Sequence, residues 1–376
     1  MQAILVLNSG SSSVKFAVYE VGKPAPVLLF RGMLDWHTHE SQFVIKDATG
    51  KPVGGSESSS GDLKADLATT LLDRIEPLLG DKEVVAVGHR IVHGGPDFSV
   101  PVRINAEIIR KLERLIPLAP LHQPGCLGPV HSIQSSWPKL CQVACFDTAF
   151  HRELHPIYRR FALPLSFEAS GIRRYGFHGL SFEYIARQLN QPNRRVVVAH
   201  LGSGCSLCAI HKGKSINTTM SLTPLDGLMM ATRSGAVDPG VILYLQRSGG
   251  LSLAEIEDLL YTKSGLLGVS DISADMRTLV ASEDERARQA VNQFCARIAE
   301  QIAAMATAMN GMDMLVFTGG IGENSREIRR NVCARLEWLG VSADEANTGA
   351  IGQIEVCSMP TDEEFVIALH TIDVMS

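Results

Sequence analysis

The sequence has 376 residues, 45% hydrophobic, 20% charged and 6% aromatic, proportions that fit a globular protein and exclude disordered, collagenous and coiled-coil classes. Against 40 Asp and Glu stand 35 Lys and Arg, a net charge of −5 without any sustained basic run, so no nucleic-acid partner is expected. Eight scattered cysteines read as reduced thiols rather than a disulfide framework, no apolar run is long enough for a membrane span, and the start Met1–Asn8 lacks a signal peptide's basic segment; a cytoplasmic enzyme of about two domains is expected.

Ile4–Leu7 is an apolar run broken by Asn8-Ser9-Gly10-Ser11-Ser12-Ser13, after which Val14, Phe16 and Val18 alternate with Lys15 and Ala17, predicting strand, polar turn, strand. The Gly- and Ser-rich stretch Gly50–Gly61 predicts a surface loop. Asp66–Leu79 predicts a helix, Val84–Val87 a buried strand, Ala106–Leu115 a helix, and Val143–Phe146 a strand that stops at Asp147. A domain boundary is expected just beyond, where the polar, helix-poor segment His151–Ser170 begins. Ser181–Leu189 predicts a helix after the turn Tyr175-Gly176-Phe177-His178-Gly179.

At Val196 the opening pattern returns: Val196–Ala199, then His200-Leu201-Gly202-Ser203-Gly204-Cys205-Ser206, then Leu207–Ile210. Laying Gly10 on Gly202 puts Phe16-Ala17-Val18 on Cys208-Ala209-Ile210, a repeat about half the chain long. Leu253–Tyr261 and Arg286–Met309 predict helices, Met314–Thr318 a strand, Ser325–Leu336 a helix after a Gly-rich turn, and Thr361 onward a last helix through Phe365–His370. Strands alternating with helices predict an α/β architecture with mixed sheets.

Asn8-x-Gly-Ser-Ser-Ser-x-Lys15 has the composition of a phosphate cradle, with small residues that let backbone N–H groups close on an anion and a Lys to neutralise it. Gly202-Ser203-Gly204 is a second such turn, and Gly319-Gly320-Ile321-Gly322-Glu323-Asn324, between a strand and a helix, a third. His89-Arg90, the segment Leu118–Pro124 around His122, Asp147 at a strand's C-terminal end and Arg233 beside Gly and Ser add groups suited to an anionic ligand. Cys205-x-x-Cys208 lacks a second pair and would point its thiols to opposite faces of a strand, so zinc is not expected; magnesium carried by a nucleotide needs one or two oxygens, which Asn8, Asp147 or Glu363-Glu364 can offer.

The motifs Asn-Ser-Gly-Ser-Ser-Ser-Val-Lys-Phe at 8–16, Gly-His-Arg-Ile-Val-His-Gly-Gly at 88–95, Ala-Pro-Leu-His at 119–122, Phe-Asp-Thr-Ala-Phe-His at 146–151 and Tyr-Gly-Phe-His-Gly at 175–179 resemble the acetate kinase family. So do His-Leu-Gly-x-Gly at 200–204, Thr-Pro-Leu-Asp-Gly-Leu at 223–228, Thr-Arg-Ser-Gly-Ala-Val-Asp-Pro at 232–239, Phe-Thr-Gly-Gly-Ile-Gly-Glu-Asn-Ser at 317–325 and Pro-Thr-Asp-Glu-Glu at 360–364. The resemblance implies a two-lobed, actin-like ATPase fold of duplicated ribonuclease H-like domains around a nucleotide cleft. The lobes would be residues 1–149, rejoined by a C-terminal helix at 364–376, and residues 150–363.

It further implies ATP-dependent, reversible phosphorylation of acetate or propionate by a homodimer with Mg2+ or Mn2+. Asn8 and Glu363 would hold the metal. Lys15, Ser11, Ser13, His200, Leu201, Gly202, Ser203 and Gly204 would contact phosphates, with Asp275, Met276, Arg277, Gly320, Ile321, Gly322, Glu323 and Asn324 around adenosine. Arg90 and Arg233 would bracket the carboxylate and the transferring phosphoryl group, with His178 stabilising the transition state, Asp147 orienting an Arg or a metal-bound water, His122 near the substrate, and Val92, Leu121, Phe177 and Pro224 around the acyl methyl. Ser203, Cys205 and Leu180-Ser181-Phe182 depart from the family's usual Asn, Ser and Thr-Ser-His. Two alternatives stay open: a kinase of a hydroxyl acceptor with Asp147 as base, and a non-catalytic ATP-dependent sensor.

Overall fold

The first apolar runs form β1 (Gln2–Ser9) and β2 (Ser13–Glu20), an antiparallel pair in which Leu7 faces Phe16 and Asn8 faces Lys15. This computed structural model describes residues 1–10, 13–22, 24–35, 41–53, 57–59, 67–342 and 354–376. The hairpin continues into β3 (Val27–Asp35), β4 (Ser41–Asp47) and β5 (Glu57–Ser59), each antiparallel to the strand before it. β5 lies inside the stretch expected to be a loop, and the surrounding residues 54–56 and 60–61 lie outside the described residues.

Helix α1 (Leu67–Leu79) leads to β6 (Glu83–Ile91), followed by β7 (Val102–Arg103), α2 (Ala106–Glu113), α3 (Gln123–Ser136) and β8 (Cys141–Phe146). The sheet order is β5-β4-β3-β2-β1-β6-β8-β7, with β1, β6 and β8 parallel. Leu5, Leu7, Phe16, Val18 and Leu34 pack with Leu71 and Ile75 of α1 and Ile133 of α3. Each such burial contributes about 1.5–3 kcal/mol, and together they fix the register of the central strands.

The chain next forms α4 (Pro156–Arg159), α5 (Leu165–Ala169) and α6 (Gly179–Leu189), so the segment expected to be helix-poor holds two short helices. A second sheet starts with β9 (Val196–Leu201), β10 (Cys205–His211) and β11 (Lys214–Thr218). Then come α7 (Pro239–Arg247), α8 (Leu253–Thr262), α9 (Gly265–Ser270), α10 (Met276–Val280) and α11 (Glu285–Ala308). The sheet is completed by β12 (Met314–Thr318) and, after α12 (Gly319–Asn324) and α13 (Arg326–Ala334), by β13 (Glu355–Ser358).

Its order, β11-β10-β9-β12-β13, repeats the β3-β2-β1-β6-β8 core of the first sheet, with a hairpin of antiparallel strands followed by two parallel ones. The half-chain repeat is therefore real in topology, but its expected register is off by one after the turn. Four residues separate the paired Ser9 and Val14, whereas three separate Leu201 and Cys205. Phe16, opposite Leu7, thus corresponds to Leu207, opposite Ala199, and not to Cys208. A one-residue slip matters because it exchanges the faces of every side chain.

The last helix, α14 (Glu363–Met375), is capped by Asp362, whose Oδ1 accepts from Phe365 N at 2.9 Å. It packs on β1, β6 and β8, with Val366, Ile367 and Ala368 fully buried. One compact unit is Met1–Ala149 with Asp362–Ser376, and the other is Phe150–Thr361. The return to the first unit begins at the capping residue Asp362, two positions before the expected 364.

Candidate active site

In the first unit, parallel pairing aligns the C-terminal ends of β1, β6 and β8, which brings Asn8, Arg90 and Asp147 together. Asp147 extends the ladder, its N–H donating to Ile91 O at 3.0 Å, and its side chain is fully buried. Arg90 donates to Asp147 Oδ2 through Nη2 at 2.5 Å and Nε at 3.1 Å, and to Ser9 O through Nη1 at 3.3 Å. Asp147 Oδ1 has no hydrogen-bond partner among the described residues.

The first turn of α14 adds two more carboxylates: Asn8 Nδ2 donates to Glu363 Oε2 at 3.0 Å and to Glu364 Oε1 at 2.7 Å. These contacts orient the Asn8 amide, since reversing it would set its oxygen against two anions. Glu363 Oε2 also lies 3.9 Å from Arg90 Nε. Burial, reinforced by Glu363, pushes the Glu364 carboxyl above its ordinary value, against the pull of Lys15 and the Asn8 amide. Burial likewise pushes Asp147 up, opposed by Arg90 and assisted by Glu363. Carboxylates thus outnumber the guanidinium they surround.

The other candidate residues of this unit are spread around that cluster. Lys15 is exposed on β2 opposite Asn8; Ser13 is half-buried, its carbonyl accepting from Gly10 N at 2.8 Å; Ser11 lies outside the described residues. Val92 is buried, Leu121 is 45% exposed, and His122 stands at the start of α3 without capping it through its side chain. Gln123, which sequence reasoning missed, is fully buried and grips the strand exit: its Oε1 accepts from His93 N at 3.2 Å while Nε2 donates to His93 O and Leu112 O at 3.2 and 3.3 Å.

The second unit gathers different chemistry at the β9–β10 turn. His178, in the left-handed region at φ 55°, precedes α6 and holds its Nδ1 2.8 Å from Ser206 Oγ. Its ring stacks on His200 at 4.3 Å between centroids, and His200 Nδ1 lies 2.8 Å from Ser181 Oγ. Arg233 donates from Nη1 to Pro224 O at 2.8 Å, and the two loops are tied by Ala231 N donating to Ser203 O at 3.1 Å. A Cβ on Gly204 would lie 3.3 Å from His178 Nε2 and 3.5 Å from Arg233 Nη2. A glycine at 204 therefore lets an imidazole and a guanidinium converge on bare backbone.

The strand–helix turn joins this group, with Gly320 N 3.9 Å from the Cβ position of Gly202. Glu323 is engaged within that turn, its Oε1 accepting from Gly319 N at 2.9 Å, and Asn324 Nδ2 donates to Gly320 O at 2.9 Å. Gly322 is buried and Ile321 half-buried. Leu201 is fully buried and Ser203 exposed. Asp275 caps α10 by accepting from Arg277 N at 2.8 Å and pairs with the Arg277 guanidinium at 2.6 Å, while Met276 is buried. Phe177 and Pro224 are also buried.

The two cysteines behave as separate core thiols. Cys205 Sγ donates to Gly202 O at 3.2 Å and Cys208 Sγ to Ser215 Oγ at 3.3 Å, and burial pushes each up to about 12. His151, the last residue of the 146–151 motif, is a further position whose role sequence reasoning missed; it is buried, with Nδ1 2.7 Å from Ser215 Oγ and Nε2 3.0 Å from Phe177 O. The signal that could have marked it is its place four residues beyond Asp147, inside the same motif.

The model of the Acetokinase family matches residues 3–373 of this chain. An acetate kinase of Rhodopseudomonas palustris (strain TIE-1) is 45% identical over 385 aligned positions, covering 98% of this chain and 97% of the relative. Among solved structures, a propionate kinase from Francisella tularensis superposes with a TM-score of 0.89 at 38% identity, and Porphyromonas gingivalis acetate kinase with 0.82 at 37%; each covers 100% of both chains. With near-complete coverage in every comparison, the chain belongs to the acetate kinase family and has that family's actin-like ATPase fold.

Proposed function

We propose that this protein transfers the γ-phosphoryl group of ATP, directly and reversibly, to the carboxylate of acetate, and to propionate as well. The observation that carries the reading is the convergence of His178 Nε2 and Arg233 Nη2 above Gly204. A carboxylic acid is ionised at neutral pH, so its oxygen attacks without a general base. The protein's task is alignment and compensation of charge on the equatorial phosphoryl oxygens. An imidazole and a guanidinium beside a glycine backbone suit that task, and His200, Gly202, Ser203 and Gly204 would receive the donor phosphates, the Gly202 N–H, which donates to Gly204 O at 3.1 Å, turning outward to do so.

Arg90 would present its guanidinium to the acid's carboxylate, with Asp147 as its anchor. Asp147 fits this role better than that of a base, because one of its oxygens takes two N–H bonds from Arg90. The hydroxyl-acceptor alternative would instead use the other oxygen, Oδ1, which has no hydrogen-bond partner among the described residues, as the base. Mg2+ or Mn2+ fits the first unit through Glu363 and Glu364, crowded carboxylates whose mutual repulsion a hard cation would relieve; Asn8, whose Nδ2 donates to both, would hold them in place and would have to turn its amide to offer the ion its oxygen. When bound with the nucleotide, the ion would neutralise phosphate charge.

A homodimer is proposed on family resemblance, supported by α7, which has no buried residue and exposes Val241, Leu243 and Tyr244 at 43%, 48% and 66%. Light scattering on the purified chain reads this directly. No helix among the described residues is long and apolar enough to cross a membrane, which accords with work on small soluble substrates in the cytoplasm.

The deciding assay incubates purified protein with Mg2+–ATP and C1–C4 acids and traps acyl phosphate as the hydroxamate. Turnover with acetate and propionate is expected. A folded protein inert toward all of these acids would overturn the proposal, and an acid-stable phosphate ester would favour a hydroxyl acceptor.

A further inference from the structure

His151 is not among the groups proposed to touch the substrates, yet every polar atom of its ring is committed. The carbonyl of Phe177 can only accept, so Nε2, 3.0 Å away, carries the ring proton. Nδ1 is then bare and accepts from the Ser215 hydroxyl at 2.7 Å. Ser215 Oγ in turn receives the Cys208 thiol at 3.3 Å. The chain runs one way: Cys208 to Ser215 to His151 to the Phe177 carbonyl. Burial keeps it in that form, lowering His151 to about 4 and keeping the thiol protonated.

The segment receiving this last bond has unusual backbone on both sides. Gly176 has φ +79°, and a Cβ there would lie 2.6 Å from His151 Cδ2 and 2.7 Å from Thr218 Cγ2. His178 has φ +55°, a region that non-glycine residues enter at a cost. The peptide between Phe177 and His178 sets where the His178 ring leaves the backbone. The Phe182 ring meets His151 edge-on at 5.8 Å, so ring and peptide are held from two directions.

We infer that His151 is a positioning residue for His178, acting through the Phe177 carbonyl as the final donor of this one-way chain. Its kinetic consequence rests on the proposed phosphoryl transfer, because a displacement of about 1 Å in a group aimed at reacting atoms can cost on the order of a hundredfold in rate. His178 Nε2 stands over Gly204 only while that peptide keeps its orientation.

Three variants test it: His151→Phe keeps an aromatic ring, slightly larger, and removes both nitrogens, His151→Gln restores an N–H near the Nε2 position, and Ser215→Ala removes the middle link while leaving the imidazole in place. For His151→Phe, kcat should fall roughly 10–100-fold with the KM for ATP little changed; His151→Gln should recover most of that loss, and Ser215→Ala should lose only a few-fold. A second readout is nitrogen NMR of histidine-labelled, ligand-free protein. It should show His151 as the Nε2–H form across neutral pH, and His178 ring signals that shift in His151→Phe and return in His151→Gln. An Nδ1–H tautomer at His151, or unchanged kcat and unchanged His178 signals in His151→Phe, would overturn the inference. Absence of acid turnover in the unaltered protein would overturn the functional reading instead, leaving the NMR result to decide the positioning role. If His151→Phe does not fold, Ser215→Ala decides: unchanged His178 signals there count against the chain.

Discussion

Two sheets with the same strand order carry opposite chemistry at their ends. In the first unit the strand ends and α14 bring Asp147, Glu363 and Glu364 around Arg90 and Asn8. In the second, the corresponding turn meets His178 and Arg233 at bare glycine backbone, with His200 stacked on His178. The difference resides in the last residues of the strands, such as Asn8, Arg90 and His200, and in the loops and helix starts just beyond them. The strand core fixes positions; the residues at and past its end decide which charge is presented. The first end suits a cation and a guanidinium, the second an anion.

The largest effect should come from the second end. Arg233→Ala is expected to lower kcat by about 10³-fold or more, the scale on which an arginine stabilises phosphoryl transfer, with only a modest change in the KM for ATP. Steady-state kinetics checks it, and turnover within tenfold of the original would contradict the assignment. Stability should change little.

Arg90→Ala should behave differently, because it strands Asp147 as a buried carboxylate. Breaking such a pair costs about 3–5 kcal/mol, so a large drop in thermal stability should accompany the loss of activity. Adding Asp147→Asn to Arg90→Ala should return part of that stability without returning turnover. Were Asp147 instead a base with Arg90 incidental, Asp147→Asn alone would cost far more turnover than Arg90→Ala.

The two turns can be compared by one methyl group. Gly204→Ala sets a Cβ 3.3 Å from His178 Nε2, so turnover should fall roughly tenfold with stability nearly unchanged. Gly10→Ala meets Ser13 O at 3.4 Å and Ser13 Oγ at 4.0 Å, ordinary contacts, and should cost less than about threefold. Equal losses at the two positions would erase the distinction between the two ends.

Much of this frame was legible in the sequence because it rests on local pattern. Apolar runs ending in Asn8, Asp147 and the 319–324 turn marked the strand ends, and the returning Gly/Ser turn marked the second sheet. What escaped depended on pairing or on disguised propensity. The turn after β1 differs from that after β9 by one residue, which no composition reveals and which shifts the repeat's register. Helix α3 contains Gly125, Gly128 and Pro129, residues that argue against a helix interior, and it forms because Leu127, Val130 and Ile133 bury against the sheet. Gln123 and His151 act by bonding distant backbone carbonyls and amides, so their roles exist only once the chain is folded.

The smallest expected effect tests whether the first end is poised for a cation. The Glu364 carboxyl is raised above its ordinary 4.5 by burial and by Glu363. An acid raised on folding means the folded chain binds more protons than the unfolded one between the two values, so this group's contribution to stability falls as pH rises through that interval. Glu364→Gln removes the ionisation and keeps an oxygen for the Asn8 amide. In the absence of metal and nucleotide, it should melt about 2 °C higher than the original protein near pH 8, with the gap closing toward pH 4.5. Saturating Mg2+–ATP should reverse the order, because the original carboxylate then faces a cation that the amide attracts less. A variant that melts lower than the original at pH 8 in the absence of ligand would show that Glu364 is already compensated within the fold. The asymmetry between the two strand ends would then concern anion binding alone.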